Sequence, residues 1–372
     1  MENELPDGWE WKKLGDIIEL KYGKGLKGEN RNPKGSIPVY GSNGIVGYHD
    51  ESMVPNPCLI LGRKGSIGSV HLSNTYCWPI DTTYYINPPA NAALKYLYYF
   101  LSTLNLKSLN KSTAIPGLNR NDVYSKDIPL PPLETQHKIV AILEKAEETK
   151  KLRAQADELT QQFLKSVFVE MFGDPIANPK RWNKRKLGEL CRIRRGASPR
   201  PIENYVGGTV PWVKIGDGTK GNDIYIENTA EKIIEEGVKK SVLLKKGSLI
   251  FANCGVSLGF ARILNIDGCI HDGWLSLEDI SIELNIIYLL KLINSISNYF
   301  RLTAPDGTQP NLNTTIMKNF EIPVPPLSMQ NKFADFVENI EKSKQTQQQC
   351  HQEIDMLFNV LMQKAFTGEL VS

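Results

Sequence analysis

Two stretches of this chain carry apolar or small residues at alternating steps of three and four, with Lys, Glu and Gln on the faces between. The first runs through Ile139, Ile142, Ala146, Thr149, Leu152, Ala156, Leu159, Phe163 and Val167. The second runs through Phe333, Phe336, Ile340, Ser343, Gln347, Cys350, Ile354, Leu357 and Leu361. So narrow a stripe, sustained over five turns and more, predicts two long helices with a coiled-coil seam rather than a broad core face. Gly173 and Gly368 follow the two stripes and predict their C-terminal stops. Elsewhere the pattern changes to short β-branched or aromatic runs between Gly and Pro, which predict strands over 37–40, 59–61, 82–86, 249–251 and 274–277. Helix-like apolar stretches lie at 93–104 and 285–296. The fold class expected is mixed α/β (α+β): two globular domains separated by two long helices that form an antiparallel coiled coil.

The pattern is also a repeat. WEWKKLG at 9–15 returns as WNKRKLG at 182–188, and the same offset of 173 carries Gly23 onto Gly196 and Pro38 onto Pro211. LILGRKGSIG at 59–68 resembles LIFANCGVSLG at 249–259, Asp81 falls on Asp272, and Tyr96-Leu97 falls on Tyr288-Leu289. IPLPPLETQ at 128–136 returns 194 positions later as IPVPPLSMQ at 322–330. The offset only grows along the chain, which predicts modest loop insertions in the second copy. Proline can neither continue a strand ladder nor sit inside a helix, so Pro129, Pro131 and Pro132 predict an extended exit from the globular part. A helix is then expected only after Leu133, with Glu134 and Ser328 at first helical positions, where an acid or hydroxyl suits the exposed N–H groups. The expected boundaries are a globular domain over 1–133, a helix over 134–173, a second globular domain over 174–327 and a second helix over 328–372.

A continuous helix from Glu134 to Phe172 would span roughly 58 Å at about 1.5 Å per residue. The globular domain between the helices would let the second return antiparallel to the first. DNA-reading dimers place two heads about one helical turn, or a multiple, apart. One chain with two non-identical heads would therefore read a two-part, asymmetric site.

Composition narrows the classes. With 372 residues, 41% hydrophobic and 23% charged, the chain has the make-up of a folded protein of two or three domains. No run approaches the roughly 18–20 apolar residues of a membrane helix, and the acidic opening MENELPDGWEW lacks a signal-peptide layout, so a cytoplasmic location is expected. The six cysteines and five histidines are scattered without C-x-x-C or H-x-x-x-H spacing, which argues against a disulfide framework or a metal cluster. Net charge is only +3, yet nine basic residues and one acid lie between Lys180 and Arg200, a density that fits a polyanion partner.

W-x-x-x-x-L-G-(D/E) opening each copy, I-P-x-P-P-L-x-x-Q before each long helix, and F-T-G-E-L at 366–370 together resemble the specificity subunit of type I restriction–modification systems, over essentially all 372 residues. The resemblance implies two target-recognition domains, each reading one half of a bipartite double-stranded DNA sequence. It also implies spacer helices that dock two modification methyltransferase subunits, with endonuclease/translocase subunits joining that core. No catalytic residue or cofactor is implied for this chain itself. S-adenosylmethionine, ATP and magnesium would belong to the partner subunits.

Three apparent catalytic motifs have plainer readings. GKGLKG at 23–28 has the glycine spacing of a dinucleotide loop, but turn-forming ENRNPKG follows it instead of a helix. NPPA at 87–90 lacks the aromatic of the adenine-methyltransferase tetrapeptide and has no preceding glycine-rich cofactor loop. The duplicated Asp81 and Asp272 have no further carboxylates or lysine close in sequence, as a metal-dependent nuclease would need. The alternative class, a stand-alone DNA methyltransferase or nuclease, would require another catalytic motif, and a coiled-coil scaffold would not bind duplex at all.

Candidate DNA contacts are polar loop residues flanked by glycine, which lets backbone approach a ligand closely. In the first copy these are Ser42, Asn43, Arg63, Lys64, Ser66 and Arg120. In the second they are Arg194, Arg195, Arg200, Lys214, Asp217, Asn253, Thr308 and Gln309. Arg, Asn and Gln can read base edges in the major groove, whereas Lys more often finds phosphate. Because the copies share scaffold phrases but not these loops, their half-sites are expected to differ.

Overall fold

In the computed structural model the described residues are 5–110, 117–221, 223–255, 257–303 and 311–371. The chain divides into two units, Met1–Gln155 with Gln348–Ser372, and Ala156–Gln347.

The first unit contains β1 (Glu10–Lys13), β2 (Lys21–Tyr22), β3 (Ile37–Gly41), β4 (Gly44–His49), β5 (Cys58–Gly62), β6 (Val70–Ser73), β7 (Trp78–Pro79), β8 (Thr83–Ile86) and β9 (Asp127–Leu130). Its helices are α1 (Leu94–Thr103), α2 (Arg120–Tyr124) and the first part of α3 (Leu133–Phe172). The strands form a four-stranded sheet in the order β2-β8-β5-β6, a three-stranded sheet β4-β3-β7 and the pair β1-β9. The core combines Leu59 and Leu61 of β5 with Tyr96, Leu97 and Leu101 of α1 and Ile139 and Leu143 of α3.

The second unit continues with β10 (Lys184–Lys186), α4 (Leu187–Leu190), β11 (Arg192–Arg195), β12 (Val206–Val213), α5 (Ile215–Gly218), β13 (Tyr225–Ile226), β14 (Glu231–Ile233) and α6 (Glu235–Val238). After these come β15 (Val242–Leu244), β16 (Leu249–Ala252), β17 (Ala261–Leu264), β18 (Gly268–Ile270), β19 (Trp274–Glu278), α7 (Ile286–Ser295), α8 (Ser297–Thr303), α9 (Thr314–Asn319), β20 (Glu321–Pro323) and α10 (Leu327–Thr367). Its sheets run β11-β19-β16-β17-β13 and β14-β12-β18-β15, beside the pair β10-β20. The plan of the first unit therefore recurs with one extra edge strand on each sheet, β13 and β15. Both lie between Pro211 and Leu249, where the repeat offset jumps, so the inserted residues became edge strands rather than open loop.

Every expected strand and both short helices are present, while the proline joint differs from expectation. Ile128, Pro129 and Leu130 are part of β9, paired antiparallel with β1 so that Trp11 faces Pro129. Pro129 is tolerated because the ladder has only two strands and its nitrogen needs no partner. The stop falls at Pro131, and α3 begins at Leu133, one residue before the position expected, because the Pro132 carbonyl accepts the first helical bond from Gln136 N (3.0 Å). The second copy does the same: β20 pairs with β10, α10 begins at Leu327, and Gln330 N donates to Pro326 O (3.2 Å). The opening and joint phrases thus form one clasp that joins the two ends of each globular part. Leu14 N donates to Lys126 O in one clasp, and Leu187 N to Phe320 O in the other.

A fully buried glutamine locks each clasp. Gln136 Oε1 accepts from Ala93 N (2.7 Å), and its Nε2 donates to Pro131 O (2.8 Å) and Asn91 O (3.3 Å). Gln330 accepts from Asn285 N (2.9 Å) and donates to Pro325 O (2.8 Å) and Glu283 O (2.9 Å). The matched tyrosines complete it: Tyr96 Oη donates to Pro129 O (2.6 Å) and Tyr288 Oη to Pro323 O (2.9 Å).

Within each unit the long helices pair. In the second, Phe163 meets Phe336 (5.6 Å) and Phe168 meets Phe333 (5.4 Å) edge to face, an antiparallel progression. In the first, Lys150 binds Asp355 (2.8 Å) and lies over Phe358. Beyond Ile139 and Phe333, the buried stripe departs from the one the spacing suggested. Ile139, Val140, Leu143, Leu164, Phe168 and Phe172 are buried, whereas Ile142, Leu152, Leu159 and Phe163 stay exposed. The globular sheets and short helices capture a face rotated by about one residue from the interhelical seam. Each long helix ends as a plug in a core: Phe172 packs edge to face on Tyr288 (4.8 Å), and Phe366 likewise on Tyr96 and Phe100 (both 5.3 Å). Gly173 and Gly368 follow with φ of +79° and +81°, the left-handed C-terminal turn that glycine adopts without strain.

Candidate nucleic-acid interface

In the first unit, one surface gathers the turn between β3 and β4, the β5–β6 loop, the β7–β8 loop and the segment entering α2. Gly23 makes this possible: a Cβ there would lie 2.2 Å from Ile80 O, so only glycine lets the β2 exit press against the β7–β8 loop. The Arg63 guanidinium donates to Asp81 O (2.6 Å) and lies over the rings of Tyr22 (5.2 Å) and Tyr84 (5.8 Å). Arg120 lies over Tyr22 as well (5.5 Å), so this half-exposed ring carries two cations. Leu118 N donates to Arg63 O (2.9 Å), and Lys64 bridges Gly117, which ties the two basic loops edge to edge. Asn43, Lys64, Ser66 and Arg120 are exposed on this surface. Ser42 is buried, with Oγ at 2.5 Å from Lys64 O and 2.7 Å from Thr82 O, so it fastens the Asn43 turn to the Lys64 loop rather than facing outward.

In the second unit, Gly196 holds the place of Gly23, and a Cβ there would meet His271 O at 2.2 Å. Arg195 Nε donates to Asp272 O (2.9 Å), Arg200 binds the Asp272 carboxylate (3.3 Å), and Ser198 Oγ donates to it (2.7 Å). Burial would push this carboxyl up, but Ser198, His271, Arg200 and Arg195 outweigh it and hold Asp272 below the ordinary carboxylate range. His271 moves down because burial disfavours its charged form and Lys214, Arg200 and Arg195 repel it, against the attraction of Asp272. Its Nδ1 accepts from Gly273 N (2.9 Å), which places the proton of the neutral ring on Nε2, 3.0 Å from Asp272 Oδ1. Lys214 lies over Trp212 (5.0 Å) and binds Glu231, and Trp212 packs against His271.

Three expected contacts of this unit have side chains committed to the protein. Arg194 forks onto Glu278 with two bonds of 2.8 Å. Asp217 accepts from Lys214 N (2.8 Å) and Ala230 N (3.0 Å). Asn253 is fully buried and donates to Asn311 Oδ1 (3.2 Å), fixing the β16–β17 loop to the segment before α9. Thr308 and Gln309 lie outside the described residues. The basic run 180–200 is likewise largely consumed by structure: Arg185 binds Glu189 and Glu283, and Arg192 binds Glu278 and Asp279. Arg195 and Arg200 stay exposed beside Asp272.

The first surface contains aromatic platforms that a search for polar loops passes over, Tyr22 and Trp78 with Lys24 over its ring (5.8 Å). In the second, Trp212 is buried beneath Lys214. The interleaving of Lys and Tyr in KYGK at 21–24 was the sequence signal for Tyr22. Loop cations backed by aromatic faces and carbonyls can meet phosphates and base edges. Neither surface brings carboxylates together as a hydrolytic metal site does: among the described residues no group of three or more His, Cys, Asp or Glu is placed to hold a metal.

A family model described as the type I restriction modification DNA specificity domain matches residues 6–161 and again 179–356. A putative type I restriction enzyme specificity subunit of Haemophilus influenzae is 23% identical over 357 residues, covering 89% of this chain and 87% of that protein. The type I restriction enzyme MjaIX specificity subunit of Methanocaldococcus jannaschii is 23% identical, covering 99% and 94%. Among solved structures, a type I restriction–modification S subunit from M. genitalium superposes with a TM-score of 0.61 at 18% identity over 98% of this chain and 97% of that one. A chain from a study of assembly and conformational transition of the type I R-M system gives 0.66 at 20% identity, over 99% and 100%. These two likenesses bear on the fold.

Proposed function

Since the chain belongs to the type I restriction modification DNA specificity domain family and carries that domain twice, we propose that it reads both halves of an asymmetric, bipartite duplex target. The observation that carries this reading is the pair of loop surfaces at the same place in two copies of one unit. Around Tyr22 the first offers Asn43, Arg63, Lys64, Ser66 and Arg120; around Trp212 the second offers Arg195, Arg200 and Lys214. Same scaffold and different side chains mean two different half-sites. Lysines and part of the arginine charge neutralise phosphates, while arginine forks and Asn43 supply base-edge discrimination.

The chain performs no bond-making step in this reading. Two modification methyltransferase subunits, with S-adenosylmethionine, and endonuclease/translocase subunits, with ATP and magnesium, supply the chemistry in the cytoplasm. The exposed apolar residues of the long helices, Leu152, Met356 and Leu357 in one unit and Leu159 and Phe163 in the other, offer these partners surface to bury. Among the described residues no helix is long and apolar enough to cross a membrane.

The test is binding of the purified chain to duplex DNA over a salt series, followed by addition of S-adenosylmethionine with and without the methyltransferase subunit. Binding should weaken steeply with salt, and adenine methylation should appear only with the partner. Methylation or cleavage by the chain alone would overturn the reading.

A further inference from the structure

The second unit holds a crevice of about 570 Å³ whose chemistry differs from that of its counterpart in the first. Its walls come from the last part of α3, β17, α7 and α10, and its apolar side is Leu164, Phe168, Phe260 and Phe333. The other side carries Lys165, Arg262, Lys291 and Lys344.

The repeat shows what is unusual here. Arg262 pairs with Ile250 as His71 pairs with Ile60, and Lys291 follows Tyr288 by three residues as Tyr99 follows Tyr96. His71 and Tyr99 line the corresponding crevice of the first unit, about 440 Å³, with Glu144 and Glu147. That crevice is neutralised from within: Lys95 binds Glu144, and Tyr99 Oη donates to Glu147 (2.8 Å). In the second unit two of these positions have become cations, and their nearby acids do not match them. Lys344 holds Glu341 (2.7 Å). Asp223 stands 3.8 Å from Arg262, whose buried Nε has no hydrogen-bond acceptor among the described residues. Lys291, half-buried, has no hydrogen-bond or ion-pair partner among the described residues.

A largely desolvated cation without a matched anion is costly, so such a site favours an anion arriving from outside. Burial pulls the Lys291 ammonium below the ordinary lysine range and Lys344 adds to this, with Glu341 and Asp223 opposing. The volume falls in the range of small-molecule sites, and apolar walls opposite cations suit a ligand with an apolar body and a charged end. We infer that this crevice binds an organic phosphate of nucleotide size, its phosphates on Arg262 and Lys291 and its apolar body against Phe260 and Val169. The site lies outside both loop surfaces assigned to DNA and does not depend on that assignment.

Calorimetric titration of the full chain at fixed ionic strength with ATP, sodium pyrophosphate and adenosine tests it. ATP should bind more tightly than pyrophosphate, adenosine should not bind, and saturating duplex DNA should leave the ATP affinity unchanged. Lys291→Leu should weaken ATP at least tenfold while leaving the unliganded Tm equal or higher, since it removes a poorly compensated charge. Should that variant not fold, Lys165→Gln at the exposed rim should weaken ATP several-fold. Absence of ATP binding at millimolar concentration, displacement by duplex, adenosine binding as well as ATP, or unchanged affinity in a folded variant would each overturn the inference.

Discussion

Arg194 and Arg195 are consecutive on β11, so their side chains leave opposite faces of the sheet. Arg194 spends its fork on Glu278, whose carboxyl burial would raise but which hydrogen bonds from Arg194 and Ser276 hold below the usual range. Arg195 reaches only a carbonyl and keeps donors for a ligand. Arg195→Ala and Arg200→Ala are therefore expected to weaken duplex binding by about 1–3 kcal/mol each with little change in stability, measured by fluorescence anisotropy. Arg194→Ala should instead lower the unfolding free energy in urea denaturation by on the order of 1–2 kcal/mol and leave affinity nearly intact. His271 gives a pH signature. Its folded pKa is lowered, so below about pH 6.5 the unfolded chain takes up the proton first and stability falls as pH drops toward the folded value. Asp272, also lowered, adds its own loss only below about pH 3.8. In His271→Gln the decline of Tm between pH 7.5 and 5 should be shallower, and an unchanged slope would exclude this histidine as its source. The loop placement of Arg63 and Lys64 was legible from sequence because glycines bracket the pair in GRKG. The exposed Tyr22 was not, because an aromatic residue in a strand reads as core until its exposure is known.

At the scale of elements, the joint phrases teach the sharpest lesson. Apolar runs located β3, β5, β8, β16 and β19 and the helices α1 and α7, since buried β-branched and aromatic runs leave a direct trace. The prolines were read as a stop because a ladder needs N–H donors, but a two-stranded edge relaxes that need at Pro129. What the phrases repeat in each copy is the glutamine seven residues past the first proline, satisfying three backbone groups from a fully buried position. Gln330→Leu should cost roughly 2–4 kcal/mol in urea denaturation, since it strands Asn285 N and two carbonyls. The same substitution at Gln136 should act alike, while exposed His137 and Lys138 beside it tolerate change. Since each long helix is shared between the two units, inserting about one turn, roughly 5.4 Å, into both should widen the unread gap of the target by one or two base pairs. Mapping of methylated adenines with the partner subunits present would show it, and an unchanged gap would remove the helices as its measure.

The whole molecule is built so that each unit borrows its last core residues from a helix begun in the other. Phe172 closes the second core, and Phe366 closes the first. Nothing in the residue pattern alone announces this exchange, because a plug phenylalanine and a seam phenylalanine share the same spacing. The repeat did announce that the copies match phrase by phrase, and where they depart, at β13 and β15, the second sheets simply gain edges.

The chain ends meet within this plan: Pro6 packs where a side chain on Gly368 would stand, 2.3 Å from its Cβ position. A circular permutant whose ends are joined by a short linker and reopened between Gly173 and Trp182 would synthesise the present second half first. It should fold with the same Tm within a few degrees and direct methylation to the same target as the native order. Failure to do so would mean that translation order, and not the finished set of contacts, decides which core each helix completes.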